Sequence, residues 1–593
     1  PMTRGLAYCC AVLMLIGIIG RALNRNLQHA GFRVAPEAAP PMSPATPSDE
    51  RGSVGALLTA FTLSGFSAMV YEVAWTRSLS LILGSSIYAF CLMLATFLGG
   101  IALGSMTARH VLRNRPASVA QFVAIETGLA AYGLLSILQF GRLPDLFVGL
   151  WPILGHTFAG LSVLQVVLSM SVMVLPTFLM GLLFPVVSDL VTERFAQLGS
   201  RLGLAYALNT LGGIVGSAVS GFWLIPRLGV AWTLVLAAVV NLLAGVVLYV
   251  RCGPGGLLRR LAVATVALGV YLGVGQQVFV PSWQRQVLAA GVYMNPAEYR
   301  QTSVRRAASQ GELLFYRESL NATVSVHRHR DHIYLKIGGK TDASTGLDMG
   351  TQVLSAHIPL LLHPTPQQVL VIGLGSGVTL GSAGRYPVSV LHCAEIDPAV
   401  VEGARYFAAH NYRVHDDPRA TIYVADGRNF LLASQRQYDV IISEPSNPWM
   451  AGLAYLFTKE FYDLCKQRLA HGGIVAQWIQ LYRIFPADVK LLLHTFQESF
   501  PYMSVWSTIP GDLVLVGALE PLQLDYDRLK EQLAQPSLQQ DLDRVSMGHP
   551  LALLESFWLG PEQVRRLTAD VTWIHEDDQP WVEFSAPKAL YVD

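Results

Sequence analysis

Between residues 54 and 280 apolar positions run together with few breaks, and from about residue 312 they alternate or come in short bursts. A helix needs about 20 apolar residues to cross a bilayer. Seven stretches reach that length, roughly 54–74, 81–106, 118–140, 158–184, 203–225, 229–250 and 261–280. An earlier run, Leu6 to Gly20, is about 15 residues long and is followed by Arg21 and Arg25. It reads as a signal-like segment or an eighth helix. Residues 34–50, rich in Pro and Ala, read as a flexible linker. Residues 313–337 alternate apolar and polar, which predicts a small antiparallel sheet. Residues 347–362 read as a helix. From Gln368 the order is strand, glycine loop, helix, strand, helix, strand, a doubly wound parallel sheet whose ligands bind at the carboxyl ends of its strands. The expected division is 1–53 as apolar segment and linker, 54–280 as a membrane domain of about seven helices, 281–311 as a linker, 312–346 as a small β-sheet subdomain and 347–593 as the main α/β domain.

Composition supports two unlike halves. The 593 residues are 52% hydrophobic and 14% charged, against about 25% charged in an ordinary soluble chain. The deficit lies in the first half. A net charge of +1 gives no global reason to expect nucleic acid as a partner. Six cysteines show no zinc spacing, and Cys393 and Cys465 read as buried small hydrophobes.

Positive charge orients the spans. Arg109, Arg113 and Arg115 follow the second, Arg194 and Arg201 the fourth, and Arg251, Arg259 and Arg260 the sixth. These loops are expected in the cytoplasm, and the intervening ones carry few charges, for example Arg142 and Arg227. A cytoplasmic C-terminal half is the working expectation. It requires 261–280 to re-enter or lie in the interface; if that segment spans, the C-terminal half lies outside. Ionisable groups in spans are costly. Glu72, Arg77 and Glu126 either line a polar cavity for a head group or form pairs, Glu72 and Arg77 with each other or with a neighbouring helix. Asn209, in "YALNTLGGIVGS", sits beside small residues that allow close helix contact.

The chemistry-bearing stretch is "VLVIGLGSGVTLGSA", residues 369–383. Gly373, Gly375 and Gly377 permit a tight turn and close approach of a ligand. A dinucleotide fingerprint would place its third glycine at Val378, so NAD is disfavoured. The second strand ends in Glu395, suited to accept hydrogen bonds from both ribose hydroxyls. The third ends in Asp426, before Gly427; it can face an adenine amino group, cap the following helix, or both. Together these describe an adenosine pocket without a phosphate-binding lysine, which suits S-adenosylmethionine or a derivative. After the fourth strand comes "EPSNPW". Glu444 there can hold an incoming amine and take its proton, with Asn447 one short loop on. Turn formation is the plainer alternative for this stretch.

The motifs "IGGKTDAS", "HIPLLLHPTPQQVLVIGLGSGVTL", "CAEIDP", "VADGRNF", "DVIISEPSNP" and "LFTKEFY" resemble those of the spermidine synthase family of aminopropyltransferases, over roughly residues 312–518. The apolar half looks like the multi-spanning segment fused to such domains in some bacterial proteins. The resemblance implies transfer of an aminopropyl group from decarboxylated S-adenosylmethionine to an amine, releasing methylthioadenosine. It implies ribose binding by Glu395, an adenine-side role for Asp426, a donor-side Gln352 and a catalytic base at Glu444, with Asn447 at a second acid of the same motif. Three positions depart. Ser376 stands where the family has an Asp for the donor's amine, Asp342 where it often has Gln, and Asn447 where it has Asp. Loss of two acids weakens the case for a dicationic polyamine. The expected fold is a multi-spanning α-helical membrane domain followed by a Rossmann-like, methyltransferase-type α/β domain with a small N-terminal β-sheet.

The expected setting is a bacterial inner membrane, with the lipid bilayer and an amine as partners: a polyamine, a lipid amine or a peptide amino terminus. A transferase using intact S-adenosylmethionine for methyl or aminocarboxypropyl transfer is the first alternative. A non-catalytic adenosyl sensor or transporter is the second. No metal is expected; His327, His329 and His332 read as a solvated hairpin. The end, "HEDDQPWVEF", reads as a solvated turn and a last strand, or as a cover over the acceptor. Soluble relatives are often dimers or tetramers, which makes a homo-oligomer one option.

Overall fold

The computed structural model describes residues 47–113, 116–191, 198–252 and 256–590. The apolar run 6–20, residues 34–46 of the expected linker, Arg115 and Arg194 lie outside the described residues.

Among the described residues, eight helices form the first half: α1 (Pro47–Leu83), α2 (Ile87–Leu112), α3 (Val119–Phe140), α4 (Leu143–Leu154), α5 (Phe158–Val191), α6 (Leu198–Val219), α7 (Ile225–Cys252) and α8 (Leu257–Val274). Among the described residues, six helical stretches are long and apolar enough to cross a membrane. The longest, Ser200–Cys252, takes in most of α6 and all of α7 and is broken at Gly229, whose φ of 81° is not helical. That break falls where the apolar pattern separates 203–225 from 229–250. The short helix α4 has no counterpart in the predicted spans; its 12 residues are too few to cross.

Small residues let the helices touch backbone to backbone. A Cβ on Gly212 or Gly216 of α6 would lie 2.2 Å from a carbonyl oxygen of α1. Gly104 of α2 and Gly181 of α5 are as tightly placed against each other's helix. Asn209 donates to the Phe61 carbonyl at 2.9 Å, so it ties α6 to α1. Buried Glu126 of α3 accepts from Asn241 of α7 at 2.6 Å. Stretch 257–282, which begins with α8, runs the full length of the bundle. Arg260 reaches the Val250 carbonyl at one end, and Trp283 packs edge-on against Phe140 at the other.

A four-stranded antiparallel sheet opens the second half: β1 (Glu312–Glu318), β2 (Thr323–His329), β3 (His332–Ile337) and β4 (Lys340–Ser344). Then follow α9 (Met349–Leu362), β5 (Gln368–Ile372), α10 (Val378–Ala383), β6 (Val390–Glu395), α11 (Pro398–Gly403), β7 (Ala420–Val424), α12 (Gly427–Ala433) and β8 (Tyr438–Ser443). The sheet continues with β9 (Leu469–Gln480), β10 (Tyr502–Ile509), β11 (Asp512–Ala518) and β12 (Phe557–Leu559). Its order is β12-β10-β11-β9-β8-β5-β6-β7. Strands β5 to β9 are mutually parallel, and β11 runs antiparallel between β9 and β10. This is the Rossmann-like sheet of methyltransferase type. β5 lies where the order reverses, so its carboxyl end is the switch point at which ligands bind. Every residue of α9 is buried, which fixes the floor of that crevice.

The two halves are joined by specific bonds as well as apolar packing. Arg77, near the end of α1, donates to the carbonyls of Ser319 and Leu320 in the β1–β2 turn. Its guanidinium is thus tied to the second half of the chain. Buried Glu318 accepts from the Val230 N–H at 2.5 Å, where the helix resumes after Gly229, and from the Trp283 indole at 3.1 Å. A carboxylate there satisfies an orphan donor and faces the positive end of the helix dipole. The stretch 281–311 packs into this junction through buried Trp283, Leu288, Val292, Tyr293 and Val304.

Candidate active site

At the carboxyl end of β5 the chain turns through Gly373, Gly375 and Gly377, with φ of 91°, 52° and 79°. A side chain would be strained at each. A Cβ on Gly373 would also fall 2.5 Å from the Glu444 carbonyl oxygen, so the loop lies flat against the tip of β8. Gly427, at the start of α12, is packed on Ile372, where a Cβ would approach Cγ2 to 2.3 Å.

Glu395 ends β6 and is buried. One carboxylate oxygen accepts from Leu374 N–H and the other from Asp397 N–H, both at 2.9 Å. Burial pushes its pKa up to about 7, against the pull of those two bonds. A carboxylate has about four acceptor directions, so two remain for hydroxyls. Asp426 follows β7, is half-buried, and caps α12 by accepting from Asn429 N–H at 2.8 Å.

Ser376 is buried and donates to Oε1 of Gln352, which comes from α9. The Gln352 amide donates to the Ser344 carbonyl at 2.9 Å. The Thr379 hydroxyl lies 2.9 Å from the Gln352 carbonyl and 2.5 Å from Glu444 Oε2. Glycine loop, α9 and the tip of β8 are thus one connected network.

Glu444 follows β8 and is half-buried. Desolvation pushes its pKa up to about 8; Thr379 opposes this, while Asp512 and Asp348 add to it. Asn447 is fully buried, with its amide 3.4 Å from the Tyr482 hydroxyl. On β4, Lys340 pairs with Asp342 at 2.6 Å, and Ser446 donates to the same carboxylate oxygen at 2.5 Å. Among the described residues, Asp342 Oδ2, Asn447 Oδ1, Gln477 Oε1, Gln480 Oε1 and Asp512 Oδ1 are buried acceptors without a donor. Gln477 sits beside Ser443 in the sheet register, and Gln480 beside Asp512. Buried orphan acceptors cost free energy, and a ligand bringing N–H groups would relieve them.

The acceptor-rich side is walled by the bundle. Ala451 N–H donates to the Ser85 carbonyl at 2.9 Å, and Trp449 packs edge-on against Tyr293. The β3–β4 turn, Gly338–Gly339, lies against Ser85 and the Leu81 carbonyl. The C-terminal stretch departs from the expected strand. Trp581–Ser585 is a helix begun after Pro580, and its buried Glu583 accepts from Gly452 N–H at 2.9 Å. It therefore braces the loop that carries Asn447. No three His, Cys, Asp or Glu side chains gather as a metal-binding group among the described residues.

The predicted residues Gly373, Gly375, Ser376, Gly377, Gln352, Glu395, Asp342, Glu444 and Asn447 come together at one sheet edge. Gly427 joins them through its contact with Ile372 at the foot of the glycine loop, and Asp426 beside it is engaged with α12. Sequence reading missed Lys340, Thr379, Asp348, Tyr482, Gln477, Gln480 and Asp512. A signal existed for two of them: Gln477 and Gln480 are the polar positions in the otherwise apolar run "IVAQWIQ".

Residues 350–513 match the family model described as spermine/spermidine synthase domain. Polyamine aminopropyltransferase 1 of Streptomyces coelicolor is 29% identical over 459 residues, covering 74% of this chain and 78% of the relative. Polyamine aminopropyltransferase 2 of Aquifex aeolicus is 21% identical over 484 residues, covering 80% and 90%. Both alignments are longer than the stretch 281–593, so they reach into the helical half. Among solved structures, the spermidine synthase of Thermotoga maritima is 24% identical and covers 44% of this chain and 88% of its own, with a TM-score of 0.36.

Proposed function

From the premise that its C-terminal part carries a spermidine synthase domain, a transferase domain, behind a bundle of apolar helices, we propose that this chain is a membrane-bound aminopropyltransferase-like enzyme. The observation that carries the reading is Glu444. One carboxylate is bridged through Thr379 to the glycine-loop side and adjoins a pocket rich in orphan acceptors.

In this reading the donor is decarboxylated S-adenosylmethionine. Glu395 accepts from its ribose hydroxyls, the glycine loop lets it approach the backbone, and Asp426 faces its adenine edge. Gln352 and Ser376 flank the aminopropyl arm. Glu444 takes a proton from the amine as the nitrogen attacks the carbon beside the sulfonium. The C–N bond forms, the C–S bond breaks, and its electron pair stays on sulfur as neutral methylthioadenosine. The entering ammonium stabilises the ionised form of Glu444, so the base is readied by its own substrate.

We read the acceptor as approaching from the bundle side, where Ser85 and the Leu81 carbonyl touch the Ala451 loop and the β3–β4 turn. This favours an amine presented at the bilayer, on a lipid or at a peptide amino terminus. Arg109, Arg113, Arg201, Arg251, Arg259 and Arg260 belong to the opposite end of the bundle. Under the positive-inside rule that end is cytoplasmic, and we read the catalytic domain as extracytoplasmic. This departs from the working expectation because 257–282 runs the whole bundle length. A second reading, transfer from intact S-adenosylmethionine, is favoured by Ser376, a neutral group bonded to neutral Gln352.

Purified full-length protein in detergent, given each donor with an amine, decides between them. Methylthioadenosine is the expected product. S-adenosylhomocysteine would replace it in methyl transfer, and donor binding without either product sinks the enzymatic reading. A reporter fused after residue 593 should be active only outside the cytoplasm; activity inside overturns the orientation.

A further inference from the structure

The acceptor side of the site contains a cation of its own. Lys340 is the first residue of β4, and its side chain is 5% exposed. Its ammonium lies 2.6 Å from Asp342 Oδ1 and 3.4 Å from the Ser446 hydroxyl, which also donates to Asp342. Ser446 stands between Glu444 and Asn447 in the loop after β8. Burial works against this ammonium, but Asp342, Tyr482 and Asp512 together outweigh it and hold its pKa above the ordinary lysine value.

Charge counting on this side is then simple. Asp342 is consumed by Lys340, and Asn447 is neutral. Of the carboxyl groups near the pocket, Glu444 is the one at the reacting position. Asp512 lies on the floor of the crevice, with Oδ2 bonded to Thr351 and Oδ1 without a donor. A second ammonium on the acceptor would find Asp342 already neutralised by Lys340 and would forgo an ion pair in a poorly solvated pocket. At about 5 Å and an effective dielectric constant near 20, the attraction forgone is roughly a hundredfold in affinity.

We infer that Lys340 is a specificity-determining residue that restricts the acceptor to a single amine whose remainder is neutral or anionic, as in an aminoalkyl phosphate or carboxylate. Its ammonium fills the place that the far end of a diamine would need. This rests on the reading of the Glu444 side as the acceptor subsite.

The test is a binding measurement, separable from turnover. Full-length protein saturated with methylthioadenosine is titrated calorimetrically with 1-aminobutane and with 1,4-diaminobutane. The wild type should bind the monoamine at least tenfold more tightly. Lys340→Met frees Asp342 and should reverse the order, with methylthioadenosine affinity unchanged. Lys340→Gln supplies the same charge change in a more polar side chain should the Met variant not fold. A wild-type preference for the diamine, an unaltered ratio in both variants, or binding of neither amine overturns the inference. Absence of turnover with intact monoamine binding would instead overturn the proposed reaction.

Discussion

The two halves of the crevice are built on different principles. The donor side is local: β5, the glycine loop and the tip of β6 lie within 27 residues of one another, and Glu395 is held by backbone N–H groups. The acceptor side is assembled from afar. It takes Lys340 from a hairpin, Asn447 from a loop, Gln480 from β9, a brace from Glu583 and a wall from Ser85 of the bundle. The fold thus fixes how a nucleoside is held, while the acceptor is decided by elements that can be exchanged without disturbing the sheet.

Five measurements would break or sharpen this contrast. Glu444→Gln should cut turnover roughly 10²- to 10⁴-fold, as expected for a lost general base, with donor affinity kept. A parallel loss of donor binding would merge the two sides. Glu395→Ala should do the reverse, weakening the donor roughly ten- to hundredfold for lost charge-assisted bonds, with near-normal turnover at saturation.

The pH response is smaller but has a definite sign. Glu444 and Glu395 have folded pKa values raised to about 8 and about 7. The folded protein therefore holds their protons more tightly than the unfolded chain does. Their contribution to stability is complete below about pH 4.5 and is lost as pH rises through 7 and 8. Glu444→Gln should raise Tm at pH 9 and change it little at pH 4.5. Its catalytic counterpart is a wild-type kcat/KM for the amine that rises toward pH 8. The smallest effect is expected at Asp426. Its replacement by Ala removes a helix cap worth about 0.5–2 kcal/mol, read as a modest fall in Tm.

How much of this was legible in the chain follows the same divide. The spans showed as runs of apolar residues, and the split at Gly229 fell where the runs parted. The strand–glycine–strand order gave the sheet and brought Gly373, Gly375, Gly377 and Glu395 forward, because their partners are near in sequence. Lys340 was invisible, since nothing local says that a lysine beginning a strand will be buried beside Ser446. Glu318 was equally silent, and Arg77 stood out as a costly charge near the end of a span while its partner stayed unread. Their partners, Val230 and the β1–β2 turn, lie 88 and more than 240 residues away. The terminal strand failed for another reason: the alternation in "WVEF" is too short to outweigh a helix start after Pro580.

The bond between Ala451 and Ser85 carries a practical consequence. A truncated protein beginning at residue 281 would keep its nucleoside side but lose one wall of the opposing subsite, and would bare the apolar surface that Trp283 and Tyr293 now share with the helices. Such a fragment is expected to bind methylthioadenosine, to discriminate poorly among amines and to self-associate in sedimentation. A monodisperse fragment with the selectivity of the whole protein would mean that the bundle is an anchor and nothing more.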